Sequence, residues 1–190
     1  GALKGALPDK IPADSAGELL VLSLGGKNLS GKPYVVGEFN AGGSGGGPRK
    51  DGVDVIETDG SNCMNMPVEA LELEAPARVH RMSLRRDSGG TGEFRGGLGC
   101  VREIEFLADN IALTHRGERH RHAARGSQGG GDGAKAFSKI IRRDGSEEVV
   151  HSKLFTVVHS GERLIVETAG GGGYGDPNGR DRQSVQDDVR

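Results

Sequence analysis

Residues 102–107 read REIEFL, and this short stretch decides the fold class. Ile104 and Phe106 alternate with Glu103 and Glu105, so an extended chain would be apolar on one side and charged on the other. An antiparallel sheet with one face on a core and one face in water has this period of two. The stretch therefore predicts a strand that points Ile104 and Phe106 into a core.

Similar runs lie on both sides of this stretch. Residues 68–74 (VEALELE) end in alternation, and residues 79–85 (VHRMSLR) place Met82 and Leu84 on one side. Short β-branched or apolar runs follow at residues 111–113, 138–142, 154–158 and 164–168. Many short strands between glycine-bearing turns are typical of sandwiches and barrels. We expect a mainly β fold, an antiparallel β-sandwich-like or barrel-like domain with long glycine-rich loops and few short helices.

Helix signals are few. Residues 12–24 could begin a helix after Pro12, with Asp14 or Ser15 as the cap. Residues 177–190 (PNGRDRQSVQDDVR) predict a short helix or an extended tail. We therefore expect a β-rich segment over residues 1–176, followed by a tail over residues 177–190.

Glycine accounts for 34 of the 190 residues, about 18% against an ordinary share of about 7%. A flexible linker would be rich in Gly and Ser and otherwise featureless. The glycine clusters instead include large side chains such as Phe94, Leu98 and Tyr174, which favours fixed loops. The clusters lie at residues 42–47, 89–99, 126–133 and 170–175.

Composition also excludes some classes of protein. The net charge of −2 gives no general reason to expect nucleic-acid binding. The longest apolar run, residues 19–24, is far shorter than the about 20 residues that cross a membrane, and no secretory signal opens the chain. Cys63 and Cys100 fit no metal or disulfide framework. These features predict a cytoplasmic protein without a membrane or nucleic-acid partner.

Charge is unevenly distributed along the chain. Residues 51–77 contain seven acids and no base, whereas residues 78–125 contain ten arginines. One interpretation is that neighbouring strands pair opposite charges on their wet faces. The other is an arginine-lined groove for a carboxylate, a phosphate or a partner subunit.

The histidines are the first candidates for a metal site. His115, His120 and His122 lie close together in HRGERHRH, and His120 and His122 would share a face of a strand. The surrounding arginines oppose a divalent cation, so we favour a solvated basic loop and predict no metal site in this segment.

The sequence shows no complete catalytic constellation. GxxxxGK[ST] is absent, and a tight turn explains Ser88 in DSGG. Asp87 and Arg95 lie on one turn-rich string, where we favour an ion pair that fixes the loop over a catalytic role. Asn62, Asn65 and Glu69 could cap the entry to a strand.

Several unusual strings occur in an order that resembles one family, the hydantoinase B/oxoprolinase family. It includes the B-type subunit of ATP-dependent hydantoinases, the matching half of 5-oxoprolinase, and related subunits of acetone and acetophenone carboxylases. The resemblance runs from about Ala2 to Arg190 and covers its C-terminal portion. It rests on ALPD at residues 6–9, GG at 42–43, DG at 51–52, Asn62, Asn65, PVE at 67–69, Glu72, DSGG at 87–90, RGGLG at 95–99, GG at 129–130, DG at 144–145 and GGGGYGDP at 170–177.

The resemblance implies a function. The complex would hydrolyse a cyclic amide such as a hydantoin or 5-oxoproline, coupled to ATP hydrolysis, after an A-type subunit phosphorylates the amide oxygen. ATP and a divalent metal are implied for the whole complex and not for this segment. The implied partners are the N-terminal half of the B-type subunit and the A-type ATP-binding subunit. Arg85, Asp87 and Arg95 are the candidates for polar contacts at the site.

Two alternatives stay open at this stage. The family also includes ATP-dependent ketone carboxylases, which activate an oxygen in a similar way. The second is a non-catalytic assembly module. The B-type polypeptide of the family is several hundred residues long, and its metal-bearing N-terminal part has no counterpart here. The chain therefore resembles a fragment, a processed piece or a split subunit whose isolated form we expect to be inactive.

Overall fold

Extended segments make up most of the regular structure. The computed structural model describes residues 2–17, 20–28, 30–56 and 65–189. Within these ranges the strands are β1 (Leu20–Lys27), β2 (Pro33–Asn40), β3 (Ala77–Leu84), β4 (Cys100–Phe106), β5 (Ile111–Arg116), β6 (Phe137–Ile141), β7 (Glu147–Val149), β8 (Lys153–Val158) and β9 (Arg163–Glu167). The α-helices are α1 (Val68–Glu74) and α2 (Arg182–Asp188), and a 3₁₀ turn covers Pro177–Gly179.

The strands form two antiparallel sheets. The first has the order β2-β1-β5-β8, and the second has the order β3-β4-β9-β6-β7. Leu22 and Leu113 of the first sheet lie in one apolar cluster with Ile104, Ile140 and Leu164 of the second. The sheets therefore pack face to face as a sandwich, which confirms the predicted mainly β class.

The stretch REIEFL forms most of β4, as its alternation predicts. Ile104 and Phe106 are 1% and 0% exposed, while Glu103 lies on the outer face and pairs with Arg163 of β9. Opposite charges therefore pair on the outer face of the second sheet, although this pair does not join the acidic stretch 51–77 to the arginine-rich stretch 78–125.

A polar layer crosses the core between the sheets. Glu38 lies in register with Leu22 and His115 on the first sheet, and Arg102 shares a row with Ser138 on the second. Arg102 Nη1 contacts Glu38 Oε1, and His115 Nε2 lies 3.0 Å from Ser138 Oγ. These polar contacts join the sheets at one level of the sandwich.

Two predicted elements were wrong. Residues 20–24 belong to strand β1, because Leu20, Leu22 and Leu24 alternate into the core, and residues 12–17 form no helix. Residues 68–74 form helix α1 and not a strand. Leu71 is buried in this helix, and its carbonyl accepts the N–H of the buried Ala75 four residues on, which is a helical spacing.

The tail carries the 3₁₀ turn and helix α2. The Asp181 carboxylate caps α2 by accepting the backbone N–H of Ser184 at 3.0 Å. Both α-helices of the described ranges have seven residues, so neither has the length or the apolar character to cross a membrane.

Candidate functional site

The four glycine clusters converge beside the sandwich and bond to one another through their backbones. Residues 170–175 lie at the centre of this arrangement, which we call the glycine bundle and define as residues 12–16, 42–47, 88–99, 124–134 and 169–175. The backbone N–H of Gly171 donates to Gly97 O at 2.9 Å, and that of Gly172 donates to Asp14 O at 2.9 Å. The clusters are therefore fixed, as expected, but they form a hydrogen-bonded unit and not separate loops.

Partners of the central segment recur every three residues. Gly170 N and Gly173 N donate to Ala134 O and Gly131 O, respectively. Gly171 N and Tyr174 N donate in the same way to Gly97 O and Phe94 O. A polyproline II helix has three residues per turn and no internal hydrogen bonds, so its N–H groups point outward in three directions. The backbone N–H groups of the central segment likewise donate to carbonyl groups of the surrounding segments.

Side chains have no room at the centre of the bundle. A Cβ atom placed on Gly171 would lie 1.9 Å from Ser44 O, and one on Gly96 would lie 1.9 Å from Gly171 O. Both obstacles are backbone atoms that cannot rotate away. The sequence requires glycine here because backbones pack against backbones.

Arg95 joins the bundle to the tail. Its Nη1 donates to Asp54 Oδ1 at 2.9 Å, and its Nε donates to Asp188 Oδ1 at 2.9 Å. Burial lowers the pKa of Arg95, but the hydrogen bonds to Asp54 and Asp188 outweigh burial and raise it above its ordinary value. Arg95 is therefore a fully charged structural anchor.

Arg180 makes a second clamp on the same surface. Its Nη1 and Nη2 donate to the two oxygens of Asp51 at 2.8 Å each, and Nη2 lies 2.9 Å from Asp188 Oδ2. Asp51 also accepts the backbone N–H of Arg95. Burial would raise the pKa of Asp51, but the hydrogen bond from Arg180 outweighs it and lowers the pKa. Together the two arginines hold helix α2 against the bundle.

Arg85, which follows β3, binds residues at the end of β9 and the backbone before β6. Its Nη1 donates to Lys135 O at 2.6 Å and to Thr168 O at 3.0 Å, and its Nε lies 3.0 Å from Glu167 Oε2. These bonds give Arg85 a positioning role within the fold.

Asp87 occupies a different position from the one expected. It is exposed, has a φ of +56°, and forms no ion pair with Arg95, whose carboxylate partners are Asp54 and Asp188. The predicted Asp87–Arg95 pair was therefore wrong. Asp87 and Arg95 nevertheless both line a groove of about 600 Å³ between helix α2 and the glycine bundle. The structure thus brings two of the three candidate residues to one groove without joining them.

His115 and His120 differ from the expected solvated loop, whereas His122 is exposed as expected. His115 is buried on β5, and its ring meets the His120 ring edge-on with centroids 5.4 Å apart. Burial lowers the pKa of His115 to about 4 and also lowers that of His120. Over residues 2–17, 20–28, 30–56 and 65–189, no group of three or more His, Cys, Asp and Glu residues could hold a metal ion. Within these ranges the structure offers no ligand set for a divalent metal, which the resemblance implies for the whole complex and not for this segment.

At residues 67–69 the chain begins a helix and not the strand whose entry was predicted. Asn62 and Cys63 lie outside the described residues. Pro67 is the N-cap of α1 and offers no side-chain cap, and Glu69 lies in the first turn, where a negative charge suits the helix dipole.

Sequence reasoning missed the three carboxylates that hold the two arginines. Asp51 and Asp54 belong to the acidic stretch, and Asp188 lies in the tail, so the unequal charge distribution was the available signal. That signal predicts pairing between stretches but not which residues pair.

The sandwich and the glycine bundle together match the corresponding segment of one known protein family. The family model described as "Hydantoinase B/oxoprolinase" matches residues 1–177. The chain belongs to the hydantoinase B/oxoprolinase family.

Individual relatives are longer than this chain. It is 34% identical over 189 residues to the putative B-type subunit of a D-/L-hydantoinase from Pseudomonas sp. (strain NS671), covering 98% of this chain and 31% of that protein. A crystal structure of ATP-dependent caprolactamase from Pseudomonas jessenii matches with a TM-score of 0.89 and 30% identity, covering 100% of this chain and 34% of that one. A nucleotide-free acetone carboxylase structure matches with a TM-score of 0.80 at 20% identity, covering 98% of this chain and 29% of that one, which supports the fold alone. The chain thus spans about a third of the length of these relatives.

Proposed function

We propose that this chain is the β-rich portion of a B-type subunit in a complex that hydrolyses a cyclic amide of the hydantoin, lactam or 5-oxoproline type, coupled to ATP hydrolysis. The observation that carries the proposal is the match to the ATP-dependent caprolactamase structure over the whole chain at a TM-score of 0.89. The relative named as a putative hydantoinase component supports the same class of reaction. In this proposal the complex is cytoplasmic, and the chain is inactive by itself.

In this proposal residues 1–176 are the β-rich segment, and residues 177–190 are a tail beside it. Backbone hydrogen bonds and the absence of space for side chains keep the glycine bundle from deforming. A rigid wall suits a site that must hold a substrate in one orientation while other parts of the complex act on it. ATP and a divalent metal belong to the remaining polypeptides, namely the rest of the B-type subunit and an A-type ATP-binding subunit.

The candidate residues take different parts in this proposal. Arg85 and Arg95 are positioning residues, because backbone carbonyls and carboxylates of this chain occupy their donors. Asp87 is the candidate for a polar contact, because it is exposed, lines the groove and holds a left-handed backbone conformation. Such backbone conformations in non-glycine residues cluster at functional sites.

A ketone carboxylase is the second candidate for the complex. Its support is weaker, because the acetone carboxylase likeness at 20% identity concerns the fold alone. The caprolactamase likeness is higher in both identity and TM-score. Amide hydrolysis is therefore the function that the comparisons favour.

A chimeric enzyme tests the proposal. The chain replaces the matching third of the caprolactamase chain from Pseudomonas jessenii, and ring-opened product and ADP are measured with and without ATP. We expect ATP-dependent caprolactam hydrolysis by the chimera and none by the isolated chain. Ring opening by the isolated chain, or an assembled chimera that lacks hydrolysis, would overturn the proposal.

Two conservative variants of the chimera separate the role of Asp87 from general charge effects. Asp87→Asn removes the charge in the groove, whereas Asp144→Asn removes an exposed charge in the β6–β7 turn. We expect Asp87→Asn to lower kcat/KM at least tenfold and Asp144→Asn to leave it within twofold. Equal rates for the two variants would remove Asp87 from the site.

A further inference from the structure

The two outer faces of the sandwich differ in chemistry. The outer face of the second sheet carries charges that pair across strands, with the apolar Phe137 and Val149, 37% and 57% exposed, among them. Arg163 Nη1 lies 2.6 Å from Glu103 Oε1, and Lys139 Nζ lies 2.6 Å from Glu147 Oε1. Such a face is suited to water.

The outer face of the first sheet is apolar or small over two complete rows. One row is Gly37, Ser23, Thr114 and Phe155, and the next is Val35, Gly25, Ala112 and Val157. None of these eight positions carries a charge. Charges flank these two rows at both ends: Arg116 and Lys153 lie in the row on one side, and Lys27 lies in the row on the other.

Large apolar side chains on this face are strongly exposed at both edges of the sheet. Val35 on β2 is 86% exposed, and Phe155 on β8 is 71% exposed. Phe39 and Val157 are 41% and 42% exposed on the same two strands. Contiguous exposed apolar patches of this kind mark interaction sites in soluble proteins.

The face has the shape of a shallow trough. In the two uncharged rows, the edge strands β2 and β8 carry Val35, Val157 and Phe155, while the inner strands present only Gly25, Ala112, Ser23 and Thr114. Phe39 lies at one end of the trough, in the row of Val21 and Arg116. With strands about 4.8 Å apart, β2 and β8 lie about 14 Å apart. A helix with its side chains is about 10–12 Å wide, so one apolar element fits between the edges.

The size of the relatives indicates the occupant. The chain covers 31% of the hydantoinase relative and 34% of the caprolactamase chain, so about two thirds of each polypeptide lies outside it. That remainder must pack against this segment somewhere, and an uncharged face is the surface whose burial costs least and gains most. The charged outer face of the second sheet would require desolvation of its ion pairs.

We propose that the outer face of the sheet β2-β1-β5-β8 is the docking surface for the remainder of the B-type polypeptide, which seats an apolar element in the trough. This inference rests on the proposed function for the identity of the occupant. A second copy of this chain is the alternative occupant, and the experiment below separates the two.

Thiol labelling measures whether the face is covered. Thr114 is exposed on β5, and Arg163 is exposed on β9, the middle strand of the second sheet. Thr114→Cys reports on the proposed surface, and Arg163→Cys is the matched control on the opposite face. Both are made in a Cys63→Ser background, so that Cys100 is the one other thiol in the sequence. Cys100 is buried and should not react with the maleimide. Maleimide labelling rates are compared between the isolated chain and the caprolactamase chimera described above.

We expect the rate at Thr114→Cys to fall at least tenfold from the isolated chain to the chimera, while Arg163→Cys changes less than twofold. An equal rate at Thr114→Cys in both proteins would overturn the proposal. So would slow labelling in the isolated chain together with a dimeric mass, because a second copy would then cover the face.

A second measurement applies if the chimera does not purify. The isolated chain is then labelled with and without the remaining caprolactamase polypeptide, co-expressed as a separate chain. Protection of Thr114→Cys supports the docking surface, and unchanged labelling refutes it. Labelling needs no enzyme activity, so an inactive but protected chimera would refute the proposed function and leave the docking surface standing.

Discussion

Replacing Gly171 with alanine tests whether the glycine bundle is held by close packing of backbones. A Cβ atom at this position would lie 1.9 Å from Ser44 O, 2.3 Å from Ser44 C and 2.8 Å from Gly45 N. Ordinary contacts of a Cβ atom begin near 3.4 Å. The segments around residues 44 and 171 must therefore separate to admit one methyl group.

The expected loss of stability follows from three contributions. Overpacking costs about 1–3 kcal/mol. Separation also weakens the hydrogen bonds from Gly171 N to Gly97 O and from Gly90 N to Gly171 O, each worth about 1 kcal/mol. Alanine also lowers the conformational entropy of the unfolded chain, which stabilises the fold by about 0.4–1 kcal/mol. The free energy of unfolding should fall by about 3 kcal/mol, equivalent to about 6–12 °C in Tm for a chain of this size.

Gly37→Ala is the matched control, because a Cβ atom there meets nothing closer than Ser23 Oγ at 3.9 Å. Its free energy of unfolding should stay within about 0.5 kcal/mol of the parent. The assay is urea unfolding followed by far-ultraviolet circular dichroism, since the chain contains no tryptophan. If Gly171→Ala unfolds at the same urea concentration as Gly37→Ala, the close-packing argument fails.

Three further predictions concern the core and the tail. Burial outweighs the attraction of Arg102 and raises the pKa of Glu38 to about 7. The contribution of Glu38 to the free energy of unfolding should therefore fall as the pH rises from 4.5 to 7. Burial lowers the pKa of His115 to about 4, so the contribution of His115 to the free energy of unfolding should rise from pH 4 to 6.5. Glu38→Gln should therefore steepen the rise of the urea midpoint between pH 4.5 and 6.5, and an unchanged pH profile would contradict this. Arg102→Met should cost about 3–5 kcal/mol by leaving Glu38 buried and unpaired, and the added change Glu38→Leu should recover much of the loss in a double-mutant cycle, whereas additive losses would contradict the pairing. Arg180→Ala should release helix α2, so that its amides exchange with solvent several-fold faster while those of β4 keep their rates; equal exchange in α2 would show that the pair with Asp51 does not hold the tail.

Alternation predicts strands wherever a single face is buried. Ile104 and Phe106 on β4 follow the rule, and so do Leu20, Leu22 and Leu24 on β1, although the proline and capping signals of residues 12–15 point to a helix there. Residues 68–74 fit both the period of two of a strand and the spacing of about four residues of a helix. Helix α1 prevails because Glu, Ala and Leu favour helices and because Leu71 and Ala75 need burial on the same side.

Contacts between distant segments could not be predicted in the same way. Nothing local distinguishes Asp54 and Asp188 as the partners of Arg95, because both reach it only after the bundle and the tail are in place. The fixed character of the glycine clusters was predictable from their large side chains. Their mutual hydrogen bonding was not, since a polyproline II helix has no side-chain pattern that selects its neighbours.

The order of assembly follows from the position of residues 170–175 within the bundle. This segment bonds to backbones near residues 14, 97 and 131, yet it is the last of the five to be synthesised. Until residues 170–175 are synthesised, the carbonyl and amide groups of the earlier four segments lack these partners. A polypeptide that ended before residue 170 would therefore lose the centre of the bundle while keeping the residues that surround it.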